Sequence, residues 1–317
     1  MAKRDRSQFP PAPEPLPAPA VDNHTHLESI FPFWPRARSS DAGELQMVGE
    51  LLTEAFAAGI TRVVQCGCEL PSARWTDRLL RQRADAPPPP DQASVVGAIA
   101  IHPNEAVLHA GVREVAPDGL APNPKRHHQV PLAEAIAEIG ALAAANHAIR
   151  AIGETGLDFF RAGPRGAAVQ AEAFRAHVAL SKRLGLALQI HDRDAHAAVV
   201  EILEEEGAPD RTVFHCFSGD AALAEICARN GWYMSFAGPV TYGANHALRD
   251  AVAAAPLDLI LAETDAPYLT PHPYRGQPNA PAQTALTIAK LAEIKQVPLA
   301  DMCHAITQNS LSVYGNW

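Results

Sequence analysis

His24 and His26 stand one residue apart at the end of a short apolar run. In an extended segment that spacing puts both rings on one face, where they can reach a single ion. Four more polar side chains close apolar runs further along: Glu154 in GETGLD, His191 in QIHDRD, His215 in VFHCFSG and Asp265 in LAETDAPYL. Each alone reads as a residue that caps or hydrogen-bonds its own backbone. Together, four imidazoles and two carboxylates make a suitable donor set for two borderline divalent ions with open positions.

Such donors work only if the fold brings them together. From Val21 onward, short β-branched or apolar runs alternate with longer amphipathic stretches. The pattern predicts strands at Ala20–Asn23, Thr61–Cys66, Ser94–Ile101, Arg150–Gly153, Ala187–Ile190, Thr212–His215, Trp232–Phe236 and Leu257–Ala262. It predicts helices at Glu44–Ala58, Leu132–Asn146, Ala167–Leu184, Asp194–Glu206, Asp220–Asn230, Ala244–Ala255 and Leu299–Val313. Strand and helix in alternation mean a parallel sheet with helices outside it. Eight such units without a GxGxxG or Walker loop fit a (β/α)8 TIM barrel better than an open doubly wound sheet. In a barrel, chemistry belongs at the C-terminal strand ends, which is where the six donors fall.

Two stretches depart from the alternation. Residues 1–20 carry Pro10, Pro11, Pro13, Pro15, Pro17 and Pro19 with little apolar bulk, so they read as a flexible, partly polyproline arm before a single domain over 21–317. Asn104–Val130, with Pro117, Pro122, Pro124 and the pair His127-His128, reads as a long loop beside the site, its adjacent histidines more simply solvated than metal-binding. The chain has 317 residues, of which 47% are hydrophobic and 19% charged, enough apolar material for a large core. No apolar run reaches the length of a membrane span, and no apolar segment follows the basic N-terminus as in a secretion signal, so the expected compartment is the cytoplasm. Five cysteines in no CxxC pattern point to reduced thiols. A net charge of −9 weighs against a protein that coats nucleic acid along a basic groove, while a site gripping one or two phosphates stays open.

The strings HTHLE, IGETGLDFF, HDRDAH, HCFSG, LAETDAPYLTP and RGQPNAP occur in this order. Together they resemble the TatD family of metal-dependent deoxyribonucleases, within the amidohydrolase superfamily of barrels, over the chain from about Val21 to its end. The resemblance implies that His24, His26 and Asp265 bind one metal, that His191 and His215 bind the other, and that Glu154 bridges them. The family's first motif usually reads H-x-H-L-D, and Glu28 takes the acidic position here, which bears only on local hydrogen bonding. The segment 104–130 is also longer than usual for the family, which bears on substrate shape.

Two metals about 3.5 to 4 Å apart, the arrangement this resemblance implies, suit in-line displacement at phosphorus. Asp265 is expected to bind metal and to take the proton from the attacking water, with ligation alone as the alternative. Arg193 shares a face with His191 in an extended segment and could clamp a phosphate oxygen. His102 in AIHP, and Arg275 and Asn279 in RGQPNAP, are further expected substrate contacts. The expected cofactors are two divalent ions, Mg²⁺, Mn²⁺ or Zn²⁺. The expected substrate is DNA, as single strands or frayed ends, degraded by exonuclease action from the 3′ end as the resemblance implies, with no membrane and no obligate protein partner. An amidohydrolase-type enzyme for another ester, amide or phosphoester is the alternative. Many of those carry a carboxylated lysine where this chain has Glu154, which favours the nuclease. A non-catalytic metal-binding barrel is a third reading, set against by retention of all six donors.

Overall fold

The computed structural model describes residues 8–33, 41–86 and 89–317. Eight strands are present: β1 (Ala20–Thr25), β2 (Ile60–Gly67), β3 (Ser94–Ile99), β4 (Ile149–Asp158), β5 (Ala187–Arg193), β6 (Thr212–Phe214), β7 (Tyr233–Phe236) and β8 (Ile260–Ala262). Between and after them run α1 (Leu27–Ile30), α2 (Asp41–Ala57), α3 (Leu70–Asp85), α4 (Pro103–His109), α5 (Leu132–Ala145), α6 (Pro164–Leu184), α7 (His196–Glu206), α8 (Ala221–Asn230), α9 (His246–Ala254), α10 (Thr284–Lys295) and α11 (Leu299–Tyr314). The strands form one sheet in the order β1 to β8, which is the strand order of a (β/α)8 barrel. Each segment predicted as a strand overlaps one, and β4 runs five residues past its predicted end at Gly153. The last is shorter than its apolar run, because Leu257–Leu259 turns as a 3-10 helix and only Ile260–Ala262 pairs.

The chain packs as two compact units, one from Met1–Gln65, Gln82–Val96 and Gly219–Trp317, the other from Cys66–Arg81 and Gly97–Ser218. In the first, β1 pairs with β2 and β7 with β8, all parallel, and Thr25 bridges Ala266 just past β8. In the second, β4 lies between β3 and β5, and β5 pairs with β6. Every residue of β1 is buried, its polar Asp22, Asn23 and His24 included, as expected of a parallel strand covered on both faces. The β4/β5 pairing needs glycine. A Cβ at Gly153 would meet Gln189, and one at Gly156, whose φ is +141°, would meet the His191 carbonyl.

The flexible arm expected over residues 1–20 is corrected for residues 8–19, while residues 1–7 lie outside the described residues. Leu16 donates its backbone N–H to Ala58 at 3.1 Å, Gln283 its amide to Pro11 O at 3.1 Å, and Thr307 its hydroxyl to Pro19 O at 2.8 Å. Proline lacks an N–H but keeps its carbonyl, so an extended proline-rich strap can be held by donors from the helices it crosses. The expected loop Asn104–Val130 is also corrected. It opens with most of α4 and closes with a 3-10 turn at Arg126–Gln129, and His128 is buried. His102 caps α4, its Nδ1 accepting from Asn104 N at 3.1 Å, with Pro103 in the first turn where a missing N–H costs nothing.

One buried ring sets a pH dependence of stability. On α6, His177 Nδ1 donates to Ala173 O at 2.7 Å, while Nε2 accepts from Ile101 N at 3.2 Å, so the ring is neutral in the fold. Burial pushes it down to about 4 from an ordinary 6.5. The unfolded chain takes up this proton first, so the His177 contribution is fully present above about pH 6.5 and is lost as pH falls towards 4. Integrated over that window it amounts to roughly 3 kcal/mol. Urea unfolding of the native chain and of His177→Gln should therefore show a stability gap that shrinks by about that much between pH 7 and pH 4. A gap independent of pH would mean that the ring is not buried neutral.

Candidate active site

In the first unit, β1 delivers two rings and the loop after β8 a carboxylate. His24 and His26, one residue apart in an extended chain, fall on one face as the spacing requires, their Nε2 atoms 3.2 Å apart. Asp265 Oδ1 lies 3.4 Å from His26 Nε2 and 4.0 Å from His24 Nε2. The backbone holds this geometry: Asp265 N donates to His24 O and His26 N to Ala266 O, each at 2.9 Å. Asp265 adopts φ +54°, a left-handed conformation that aspartate tolerates better than most residues and that recurs at functional sites.

A layer of polar residues fixes these three. The Asp22 carboxylate accepts from Thr264 N at 2.8 Å and Thr264 Oγ1 at 2.7 Å. Burial pushes Asp22 up to about 8 against the pull of those hydrogen bonds, with the Glu263 charge adding to the rise. Gln65 accepts from Leu27 N at 2.7 Å and donates to Glu28 at 2.7 Å, so the glutamate in place of the family's aspartate has a local structural partner. Asn279 is fully buried and donates to Thr264 O at 3.0 Å and Tyr268 O at 2.7 Å. Its expected role as a substrate contact is therefore corrected, since both amide hydrogens are spent on tying the turn that carries Asp265. Asn279→Ala should cost about 1 to 3 kcal/mol of stability by orphaning the buried Thr264 carbonyl and releasing that of Tyr268. Unchanged unfolding with a raised KM alone would restore the substrate role. Arg275 is exposed and stacks on Tyr242, 4.5 Å from the ring centroid.

In the second unit, one carboxylate oxygen gathers three rings. Glu154 Oε2 lies 3.0 Å from His215 Nε2, 3.1 Å from His191 Nδ1 and 3.8 Å from His102 Nε2. Glu154 and His191 sit within β4 and β5 rather than at their last residues, and His215 directly follows β6. His102 Nδ1 accepts a backbone hydrogen, so its proton is on Nε2 and faces Glu154, a tautomer suited to donate to an oxygen and not to ligate. Burial and the charge of His191 push His102 down to about 4, which keeps it neutral. The sequence reading missed the support behind His191. Its Nε2 is 3.4 Å from Asp158 Oδ2. Asp158 is itself fixed by Asn104 Nδ2 at 2.9 Å and by Gln170, which accepts from Asp158 N at 2.9 Å. IGETGLDFF contains Asp158, but only pairing with β5 shows what it touches.

These groups fit cations. His24 and His26 aim ring nitrogens at each other with Asp265 beside both, an arrangement of lone pairs that an ion satisfies. Burial opposes charge on Glu154 and on His191, yet the charge of His215 and the hydrogen bonds of His191 and His215 hold Glu154 well below its usual value. Hydrogen bonds to Asp158 and Glu154 push His191 up to about 9 against its burial. The second unit thus favours positive charge at this place even with only a proton to supply it. The His191 ring turns Nδ1 to Glu154 and backs its buried Nε2 against Asp158, the arrangement in which a carboxylate behind an imidazole orients it towards a cation. Arg193 ends β5, exposed, its guanidinium 4.0 Å from the centroid of the Phe160 ring. Among the described residues no helix is long and apolar enough to cross a membrane.

Comparison with known proteins adds to this geometry. The family described as TatD related DNase matches residues 21–315. The Mycobacterium tuberculosis protein named uncharacterized metal-dependent hydrolase TatD is 37% identical over 299 residues, covering 93% of this chain and 97% of its own. The Bacillus subtilis metal-dependent hydrolase YabD is 38% identical over 172 residues, 54% of this chain and 67% of its own. Among solved structures, the TatD homologue YjjV of Escherichia coli superposes with a TM-score of 0.72 at 22% identity, covering 94% of this chain and 98% of that one. A TatD family hydrolase of Entamoeba histolytica gives 0.72 at 17%, with 94% and 98% covered. At these identities the likeness speaks to the fold, which is the TIM barrel.

Proposed function

The chain belongs to the TatD family of metal-dependent hydrolases, and on that premise we propose that it cleaves phosphodiester bonds of DNA, as a 3′–5′ exodeoxyribonuclease preferring single strands. The observation that carries the metal chemistry is the convergence of His191 and His215 on one oxygen of Glu154. His24, His26 and Asp265 would hold one divalent ion, and Glu154, His191 and His215 a second. Bound to such donors, divalent ions lower the pKa of water towards about 7 and neutralise charge on phosphoryl oxygens.

The chain's own residues do the rest. Asp265, the carboxylate of its group and 15% exposed, takes the proton from the attacking water. His102, neutral and with its proton on Nε2, donates to a phosphate oxygen. Arg193 is preset by Phe160 to clamp a second oxygen with its planar fork. The net charge of −9 supports entry of a strand end over a duplex tracked along its length. Metal-reconstituted protein incubated with end-labelled single-stranded DNA, duplex DNA and RNA should shorten the single-stranded DNA fastest, and chelation should stop it. Turnover confined to small esters, amides or phosphotriesters would overturn the nuclease reading.

A further inference from the structure

The segment read from sequence as a long loop beside the site builds a further donor cluster, none of whose members belongs to the groups above. Glu105 on α4 lies with its Oε2 3.0 Å from His127 Nε2 and 2.7 Å from His128 Nε2. One ligand atom from each of Glu105, His109, His127 and His128 lies within 4.8 Å of the others. The decisive member is His109, 95% buried at the end of α4. Its Nδ1 donates to Val130 O at 2.7 Å, and this fixes the tautomer and leaves a lone pair on Nε2. That Nε2 is buried with no hydrogen-bond partner. An orphaned acceptor at this depth is unfavourable unless something fills it. The ring centroids of His127 and His128 are 5.8 and 5.0 Å from that of His109, so what fills it meets them too.

We infer that Glu105, His109 and His127 form a further divalent-cation site, separate from the two proposed above and suited to Zn²⁺, that pins the turn Arg126–Gln129 to α4. Tautomers decide which residues ligate. His128 Nδ1 accepts from Lys125 N at 2.7 Å, so its proton is on Nε2 and is given to Glu105; His128 orients the carboxylate and does not bind the ion. His127 can carry its proton on Nδ1 and present Nε2, which also lies 3.6 Å from Glu69 Oε2. Two imidazoles and a carboxylate are a sufficient zinc set, with a fourth position for water or Glu69.

The site is tested with Zn²⁺ alone on chelator-stripped protein, counting bound zinc per chain by mass spectrometry after gel filtration. The native chain is expected to hold one zinc more than either His109→Gln or His127→Asn, with superposable circular dichroism of the stripped forms. A second measurement needs no variant: saturating Zn²⁺ should slow modification of His127 by diethyl pyrocarbonate in the native chain, read by peptide mapping. Equal zinc content in well-folded variants, or His127 modified equally fast with and without zinc, would overturn the site and leave a hydrogen-bonded cluster. Neither readout depends on turnover, so failure here leaves the nuclease proposal standing, and the reverse holds too.

Discussion

Glu154→Gln should lower bound metal and turnover together, with kcat/KM falling about a thousandfold, the equivalent of roughly 4 kcal/mol of transition-state stabilisation. The substitution keeps size and shape, so the loss must come from charge. A single oxygen of Glu154 meets His215 at 3.0 Å and His191 at 3.1 Å, with the His102 ring just beyond. An amide brings no negative charge to that point, and in one orientation it turns an N–H towards a ring nitrogen that should face an ion. Both rings would then remain placed while the cation they are proposed to hold is bound weakly. Metal analysis after gel filtration, paired with turnover of a labelled oligonucleotide at saturating metal, separates the two contributions. Excess metal should restore part of the rate if occupancy is the main loss, and none if charge at the reacting phosphate is. Full occupancy with unchanged turnover would remove Glu154 from the site.

The candidate donors were legible in sequence because they fall at or near the ends of short apolar or β-branched runs, and in a barrel such ends meet at one rim. The same logic fails for residues whose partners are distant in the chain. Asn279 sits in a Gly- and Pro-rich stretch that reads as a turn at the rim. Its two bonds to Thr264 and Tyr268 exist only once the loop after β8 has folded back. Asp22 reads as the polar edge of a strand until Thr264, 242 residues away, is seen to donate to it. The proline-rich N-terminal stretch misleads for a different reason: composition reports what a segment cannot bury, and its described part is held by carbonyls accepting from helix side chains. His127 and His128 look like solvated neighbours in sequence because the glutamate that binds both lies on a helix that the prolines of the segment conceal.

Closed circular single-stranded DNA should resist the enzyme, while a linear strand of the same sequence is degraded stepwise to mononucleotides. With a net charge of −9, the chain offers distant phosphates a repulsive field, so on the proposed reading only those held directly by ions and by Arg193 would be drawn in. A strand end can place its last phosphodiester at the metals with little more chain to accommodate. A circle must bring two continuing strands past the same acidic surface. Arg193 is the sensitive position, because its guanidinium is exposed, free to form a bidentate pair and preset by stacking at 4.0 Å from the centroid of Phe160. Losing one charge-assisted phosphate contact of about 1.5 to 3 kcal/mol predicts that Arg193→Ala lowers kcat/KM on the linear strand by about ten- to a hundredfold, with metal content unchanged. The circle separates this reading from its nearest rival, since an enzyme that grips the backbone anywhere would nick it. Rapid conversion of the circle to linear product would show endonuclease action, and the requirement for an end would be wrong even with every donor in its proposed role.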